Sequence, residues 1–211
     1  MHGIWGGSEG RFSTALHQLV ERGWTVTTDA LPAWVVHELA EEARRLWHEG
    51  KFRPAGIGRG TGYRVRSEIR GDWILWWDED ALTPIQAIYW AEIERLRQVL
   101  NEALFLGLIA FEVHYAVFPS GAFYRRHRDR FLTADERVIS CILYLNPAWS
   151  EDDGGALRIY DPDGTAHDIL PRAGTFVLLR SDTVEHEVQP TRKERFSVTG
   201  WLRRRAREFR M

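Results

Sequence analysis

The stretch RVISCILYLNPAWSEDDGGALRIY, residues 137–160, decides the fold class. It holds two β-prone runs, RVISCILYL and GALRIY, separated by the turn cluster EDDGG. Similar short runs occur before and after it: FEVHYAVF, AHDIL, GTFVLLR, HEVQP and RFSVTGWL. They are separated by further turn clusters, among them PSG, DPDG, PRAG and RSD. Regular short strands with turn signals between them predict an antiparallel sandwich or barrel.

The first half of the chain is predicted to be mainly helical. Apolar residues at helical spacing predict helices over 12–23, 31–50 and 84–104. Short strands are predicted over 24–31 and 73–77. Residues 52–72 are rich in glycine and arginine, which indicates a loop or mobile hairpin. We therefore expect a single α+β domain over 1–211, in which helices of segment 1–108 pack on one outer face of a β core at 109–204.

Composition limits the classes of partner. The formal net charge of −2 does not favour nucleic-acid or membrane binding by overall electrostatics. The C-terminal run LRRRAREFRM could be a nucleic-acid arm, but a solvated tail is the favoured interpretation. The single cysteine, Cys141, excludes an internal disulfide and fits a reducing compartment. With no apolar run that resembles a signal peptide or a membrane span, the protein is predicted to be cytoplasmic.

The stretch YRRHRDRF, residues 124–131, contains a candidate metal site. If 122–129 is the end of a strand, His127 and Asp129 project from the same face. His186, near the start of a late strand, is the candidate third ligand. Two histidines and one carboxylate on one face of an octahedron are typical of Fe(II) sites with open positions. The alternative is a surface histidine beside a solvated aspartate in an arginine-rich turn.

Arg195 lies nine positions after His186 and opens the run RFSVTGWL. In a strand, it shares one face with Ser197, Thr199 and Trp201. An arginine that points into a β-barrel is costly unless it meets an anion, and a guanidinium can bind a carboxylate through two hydrogen bonds. The alternative is a surface salt bridge with a neighbouring glutamate, Glu194 or Glu187.

Tyr144 shares a predicted strand face with Ser140 and Ile142. A buried tyrosine hydroxyl requires a hydrogen-bond partner, and a carboxylate held by Arg195 would supply one. The alternative is a core tyrosine that bonds to the backbone.

The sequence from 137 to 160 and the run GTFVLLRSDTVEHEVQPTRKERFSVTGW resemble the prolyl 4-hydroxylase branch of the Fe(II)/2-oxoglutarate-dependent dioxygenases. The resemblance is strongest to the hypoxia-factor prolyl hydroxylases and their small bacterial relatives. It extends upstream through YAVFPSGAFYRRHRD and, more loosely, IRGDWILWW and GWTVTTDALP, so it covers most of the chain.

The resemblance implies a double-stranded β-helix, or jelly roll, of the cupin type. It implies that His127, Asp129 and His186 bind iron, and that Arg195 and Tyr144 bind the distal carboxylate of 2-oxoglutarate. Further residues are implied around the co-substrate: Ile142, Leu157, Val188 and Thr199. Arg137 and Trp201 are expected to contact the substrate, and segment 52–72 matches a mobile substrate-covering loop. Fe(II), 2-oxoglutarate and O2 are the implied cofactors, with ascorbate as a candidate reductant.

The chain departs from the family pattern at Phe118, where some relatives carry a tyrosine. Phenylalanine cannot donate a hydrogen bond, so a phenol at the metal-chelating end of the co-substrate must come from Tyr115 or Tyr124. Regular alternation along 111–118 disfavours Tyr115. Tyr124 is therefore the predicted co-substrate residue.

The resemblance implies hydroxylation of an unactivated C–H bond, foremost in a prolyl residue of a protein or peptide. Two alternatives stay open: hydroxylation of a small molecule such as a free amino acid, and a non-catalytic cupin-like module that binds a metal and a diacid. Arg70-Gly71-Asp72, which resembles an adhesion tripeptide, is interpreted as a turn. The sequence does not specify the oligomeric state.

Overall fold

The structure, a computed structural model, describes residues 9–57, 64–129 and 136–205, apart from the side chains of 9–13. Its helices are α1 (Glu9–Glu21), α2 (Ala33–His48) and α3 (Pro84–Leu104). Its strands are β1 (Trp24–Thr27), β2 (Arg53–Pro54), β3 (Trp73–Trp76), β4 (Leu108–Phe118), β5 (Tyr124–His127), β6 (Arg137–Tyr144), β7 (Leu157–Tyr160), β8 (Ala166–Ile169), β9 (Phe176–Arg180), β10 (Glu185–Val188) and β11 (Arg195–Arg204). The predicted helices are confirmed: α3 has the predicted bounds, and those of α1 and α2 differ by two or three residues at each end.

The strands form two antiparallel sheets. The larger sheet has the order β1-β9-β6-β11-β4-β3-β2, and the smaller sheet has the order β5-β10-β7-β8. The chain passes repeatedly between the sheets, so β11 pairs with both β4 and β6 although they are distant in sequence. The predicted antiparallel sandwich is confirmed, and the helical half of the chain contributes β1, β2 and β3 to the larger sheet.

The helices cover the outer face of the larger sheet. α3 begins at Pro84 after the cap residue Thr83, whose hydroxyl accepts from the backbone N–H of Gln86 while the Gln86 side chain accepts from Thr83. Leucine, isoleucine and tyrosine side chains of α2 and α3 form one buried cluster with the outward residues of β4, β6 and β11. No helix in the described ranges has an apolar stretch long enough to cross a bilayer.

Alternation along β11 separates the two cores. Phe196, Val198 and Leu202 belong to the cluster beneath the helices. Arg195, Ser197, Thr199 and Trp201 face the other way and line a cavity between the sheets. On the adjacent strand β6, Cys141 points toward the helices and is fully buried, whereas Ile142 and Tyr144 point into the space between the sheets. The period-two pattern predicted for β11 is therefore confirmed.

The strand predicted over 122–129 is shorter than expected. β5 ends at His127, which pairs with His186 on β10, and Asp129 lies beyond the end of the strand. Strand alternation is therefore the wrong reason for placing Asp129 beside His127. Instead, the chain leaves the smaller sheet after His127, and Asp129 contacts Ser140 of the larger sheet.

Segment 52–72 forms a hairpin whose stems are joined by a bridge between Ile57 and Arg64. Its tip, residues 58–63, lies outside the described residues, as does the C-terminal part of the basic run at 206–211. The interpretation of 70–72 as a turn is wrong: the turn occupies 67–69, and Arg70 forms a β-bridge with Tyr124. Pairing of this segment with the edge of β5 explains the difference, because it holds 70–72 extended.

Candidate metal centre and adjoining pocket

The side chains of His127, Asp129 and His186 converge in the cavity between the sheets. The two histidines lie opposite each other on β5 and β10, with ring centroids 4.4 Å apart. Oδ1 of Asp129 lies 3.4 Å from Nε2 of His127 and 3.8 Å from Nε2 of His186. Two imidazoles and one carboxylate that meet from one side can hold a divalent metal and leave other coordination positions open.

The electrostatics of these groups suit metal binding. Burial alone would raise the pKa of Asp129, but the two histidines and the Ser140 hydroxyl outweigh it and hold that pKa well below its usual value. Burial, with the nearby His127, lowers the pKa of His186 to about 4. At neutral pH the site therefore offers a carboxylate and an uncharged His186 imidazole, the forms that coordinate metals.

Backbone carbonyls orient both imidazoles. Nδ1 of His127 lies 2.7 Å from the carbonyl oxygen of Arg125, and Nδ1 of His186 lies 3.3 Å from that of Val184. An Nδ1–H that donates to a carbonyl leaves the Nε2 lone pair for a metal. Both histidines therefore present the nitrogen that faces Asp129.

Ser140 orients the carboxylate, a role that the sequence did not suggest. Its hydroxyl donates to Oδ2 of Asp129 at 2.6 Å and lies 2.8 Å from the hydroxyl of Ser181, and both serines are fully buried. Because Oδ2 is engaged, Oδ1 is the oxygen left for a metal. The available signal was a small hydroxyl on the inward face of β6, two positions before Ile142.

We expect Ser140→Ala to weaken divalent-metal binding about 10- to 100-fold, as removal of an outer hydrogen bond to a ligand typically does. Titration calorimetry of the metal-free protein with Mn(II) measures the effect. Ser197→Ala is the matched control, since it deletes a buried inward hydroxyl on the neighbouring strand that contacts Thr199 rather than Asp129. Equal affinity in Ser140→Ala and wild type would contradict the role of this hydroxyl.

Arg195 occupies the far end of the same cavity. Arg195 is only 2% exposed, and its Nε donates to the carbonyl oxygen of Gly155 at 2.8 Å. The guanidinium carbon lies 5.0 Å from the ring centroid of Phe118 and 4.8 Å from that of Tyr144. Gly155 has φ +65°, and a Cβ there would lie 3.1 Å from Cδ of Arg195, so only glycine allows this approach.

The charge of Arg195 has no carboxylate partner among the described residues. Burial lowers the pKa of Arg195 and raises that of Tyr144, whose hydroxyl proton has no acceptor among the described residues. A buried guanidinium beside an unsatisfied hydroxyl is expensive unless a ligand completes both. A carboxylate fits, because it accepts from the guanidinium and from the tyrosine at once.

The other residues predicted around the co-substrate line the cavity between these two ends: Ile142, Leu157, Val188 and Thr199. The three aliphatic side chains are buried and belong to the apolar cluster between the sheets. The structure thus brings together all residues predicted for the metal and the co-substrate. An apolar passage between a metal centre and a buried cation suits a diacid with a short carbon chain.

Tyr124 and Tyr115 are separated by the structure. Tyr124 lines the cavity, and its ring stacks on that of His127 with centroids 3.6 Å apart. Tyr115 lies on the helical side of β4, where its hydroxyl donates to Oε1 of Glu42 at 2.8 Å. Phe118 lines the cavity without a hydroxyl. The prediction that a phenol near the metal comes from Tyr124 rather than Tyr115 agrees with this placement.

Arg137 and Trp201 lie together at the cavity. The guanidinium carbon of Arg137 lies 3.5 Å from the ring centroid of Trp201, and its Nε donates to Glu112 at 2.7 Å. Trp201 is buried, and its indole N–H has no partner among the described residues. Their proposed contact with substrate stays a prediction.

Two other polar groups of the cavity were missed from the sequence. Asp72 is buried and binds Arg70 through both carboxylate oxygens, at 2.7 and 2.6 Å. His114 is buried beside Trp201, and burial lowers its pKa to about 3, so it is uncharged at neutral pH. No sequence signal distinguished them, because Asp72 lies in a glycine- and arginine-rich segment and His114 in an ordinary strand.

A family model and a solved structure place the chain in the same family. The model of the 2OG-Fe(II) oxygenase superfamily matches residues 113–203. Among solved structures, the chain is similar to a prolyl-4-hydroxylase of Pseudomonas putida, with 44% identity, a TM-score of 0.83, and coverage of 92% of this chain and 98% of that one. The expected double-stranded β-helix fold is confirmed by this likeness.

Curated relatives point to the same family. "Prolyl hydroxylase EGLN3" of Homo sapiens is 38% identical over 170 residues, covering 76% of this chain and 70% of that protein. The "Hypoxia-inducible factor prolyl hydroxylase" of Caenorhabditis elegans is 30% identical over 201 residues. That match covers 88% of this chain but only 27% of the longer protein. The chain spans less than half the length of several such relatives.

Proposed function

This chain belongs to the prolyl hydroxylase branch of the 2OG-Fe(II) oxygenase superfamily, and on that premise we propose that it hydroxylates a prolyl residue of a protein or peptide. The reaction would use Fe(II), 2-oxoglutarate and O2 and give succinate and CO2 as co-products. The observation that carries the proposal is the pairing, in one cavity, of a His–Asp–His cluster with a buried arginine that has no carboxylate partner among the described residues.

The residues present fit iron. His127, Asp129 and His186 would hold it through Nε2, Oδ1 and Nε2, the atoms that the surrounding hydrogen bonds leave available. When bound, Fe(II) supplies the oxidative decarboxylation of 2-oxoglutarate and the coupled hydroxylation of a C–H bond. The protein's contribution is to fix the ligands, to leave positions open and to exclude water.

The residues present also fit 2-oxoglutarate. Arg195 and Tyr144 would bind the carboxylate distant from the metal, since among the described residues Arg195 has no carboxylate partner and the Tyr144 hydroxyl proton has no acceptor. Ile142, Leu157 and Val188 would surround the carbon chain and keep water away. A monoacid would leave the guanidinium buried without a partner, so the site selects a diacid.

Tyr124→Phe is expected to raise the 2-oxoglutarate concentration at half-saturation about tenfold, because a hydrogen bond to a charged group contributes roughly 1.5–3 kcal/mol. Burial raises the pKa of Tyr124 to about 12, so the hydroxyl is a donor at neutral pH. Succinate formation at varied 2-oxoglutarate measures the change.

Tyr115→Phe is the matched control for this prediction. It also removes a tyrosine hydroxyl, but one on the helical side of the larger sheet that donates to Glu42. We expect lower thermal stability and an unchanged 2-oxoglutarate requirement. A larger co-substrate defect in Tyr115→Phe than in Tyr124→Phe would reverse the assignment.

An anaerobic titration tests the proposed function directly. Metal-free protein is titrated with Fe(II) and then with 2-oxoglutarate, and the visible charge-transfer band of a chelated keto acid is recorded. Proline-containing peptides are then assayed in air for succinate and for the gain of one oxygen atom by mass spectrometry. Hydroxylation of a free amino acid but of no peptide would favour the small-molecule alternative. Absence of both the band and succinate would favour the non-catalytic binding module.

Several related predictions rest on the same proposal. Ascorbate as a reductant and a cytoplasmic location stay predictions. A protein or peptide as the partner is supported by the 30% identity to a relative named for a protein factor, the "Hypoxia-inducible factor prolyl hydroxylase".

A further inference from the structure

The segments on one side of the cavity are rich in arginine. They are the stems of the 52–72 hairpin together with β5 and the residue that follows it. We name as the arginine wall six described residues: Arg53, Arg66, Arg70, Arg125, Arg126 and Arg128. Arg70 and Arg128 line the cavity itself. Arg126 and Arg128 line a neighbouring groove beside Glu185, and the other three arginines lie on the adjoining segments.

Backbone and side-chain hydrogen bonds join the hairpin to β5. The backbone N–H of Gly71 donates to the carbonyl of Phe123 at 2.9 Å, and that of Arg125 donates to the carbonyl of Ile69 at 2.9 Å. Nε of Arg125 donates to the carbonyl of Glu68 at 2.6 Å. The arginines of the two segments therefore lie on neighbouring backbones rather than on separate parts of the molecule.

The wall carries more positive than negative charge. Its ion pairs use three carboxylates: Glu68 pairs with Arg66, Asp72 pairs with Arg70, and Glu185 is shared by Arg126 and Arg128. Arg53 and Arg125 have no acidic partner among the described residues, and the bond from Arg125 to a carbonyl leaves its charge in place. Six guanidinium groups against these three carboxylates and that of Asp129 give a local excess of cations in a chain whose net charge is −2.

The features next to these charges suit a peptide. Val65 is an apolar side chain on the hairpin that is 56% exposed, and Ile57 of the other stem lines the cavity. Apolar contacts among arginines match the mixed side chains of a peptide better than a uniform phosphate backbone. Charge complementarity then determines which peptide is favoured.

We propose that the arginine wall docks an acidic stretch of the peptide substrate, adjacent to the residue that is hydroxylated. This inference rests on the proposed function and specifies its substrate class. The acidic side chains would meet Arg53 and Arg125 and compete for the arginines that share Glu185. The target residue would enter the cavity past Arg70 and Arg128.

A charge series of peptides tests the proposal. Proline-centred peptide libraries of equal length carry flanks of Asp and Glu, of Asn and Gln, or of Lys. We expect kcat/KM for the acidic library to exceed that for the neutral library about tenfold, as two or three exposed ion pairs would give. The preference should shrink between about 50 and about 300 mM NaCl, because salt screens exposed pairs. Equal kcat/KM across the series at low salt would overturn the proposal.

A double charge reversal sharpens the test. R53E/R66E is expected to invert the ranking, so that the lysine-flanked library becomes the better substrate, a gain that misfolding cannot produce. The matched control is R45E/R95E, which makes the same charge change on α2 and α3 at arginines that are 58% and 53% exposed, compared with 54% for Arg66. The control should keep both the wild-type ranking and peptide-independent succinate formation. An equal change of ranking in the control would overturn the proposal, since overall charge would then be the cause.

Direct binding separates the remaining outcomes. Fluorescence anisotropy of labelled peptides is measured with Mn(II) and 2-oxoglutarate without O2, in competition with a single-stranded RNA of random sequence. We expect the acidic library to bind most tightly and RNA to compete weakly. Tight RNA binding that R53E/R66E abolishes would overturn the proposal in favour of nucleic acid. Absence of hydroxylation with every peptide, while 2-oxoglutarate is still consumed, would refute the proposed function itself.

Discussion

Asp129→Ala is expected to abolish iron-dependent turnover. The substitution removes the one carboxylate of the His–Asp–His cluster and leaves only two imidazoles to compete with water for the metal. The loss of affinity should exceed about 100-fold, beyond the upper end of what an outer hydrogen bond contributes. Calorimetric titration with Mn(II) and succinate assays with Fe(II) measure binding and turnover separately.

The matched control for this experiment is Asp168→Ala. Asp168 lies on β8 and pairs with Arg158 at 2.7 Å on the exposed side of the smaller sheet. We expect this control to keep full metal affinity and turnover, because exposed ion pairs contribute little. Full activity in Asp129→Ala, or in His127→Ala, would refute the predicted ligand set.

Arg195→Met is expected to weaken 2-oxoglutarate binding and, at the same time, to stabilise the ligand-free protein. The 2-oxoglutarate concentration at half-saturation should rise at least about 100-fold, since removing one partner of a buried charge pair costs about 3–5 kcal/mol. The ligand-free protein should become more stable, because a buried guanidinium without an anion is replaced by an apolar side chain of similar length. Thermal unfolding with and without 2-oxoglutarate reports both effects.

Weaker 2-oxoglutarate binding together with higher stability of the ligand-free protein would distinguish a binding role of Arg195 from a structural one. If Arg195 served mainly to hold Gly155, Phe118 and Tyr144 together, its removal would lower stability with or without the co-substrate. Arg44→Met provides the comparison, since Arg44 also lies over an aromatic ring, Phe196, but on the helical side of the sheet. A stability loss in ligand-free Arg195→Met together with a normal 2-oxoglutarate requirement would contradict the assignment.

Sequence reasoning predicted the parts of the site that follow from strand alternation. Side chains that face the cavity recur every second residue on β11 and on β6. Once Arg195 or Tyr144 is predicted to face inward, the residues two positions away on the same strand are predicted to face inward as well. The apolar periodicity of α2 and α3 likewise indicated helices with one buried face. These features depend on local patterns, which a single sequence contains.

The parts that sequence reasoning missed depend on contacts between distant segments. Asp129 reaches the site through a turn beyond β5 and a bond to Ser140, so alternation gave the right residue for a wrong reason. Ser181 joins the same hydrogen-bonded group from 41 positions away from Ser140. Asp72 appeared to be part of a turn because the edge of β5, with which the preceding Arg70 and Gly71 pair, exists only in the folded sheet.

The burial of the single thiol of the protein determines how the protein responds to oxidation by air. Cys141 is fully buried on the helical side of β6, and burial raises its pKa, so it stays an unreactive neutral thiol. Oxidation of this thiol therefore requires the central sheet to open first. Loss of activity during aerobic storage is then expected to arise at the metal, and fresh Fe(II) should restore activity without any thiol reductant.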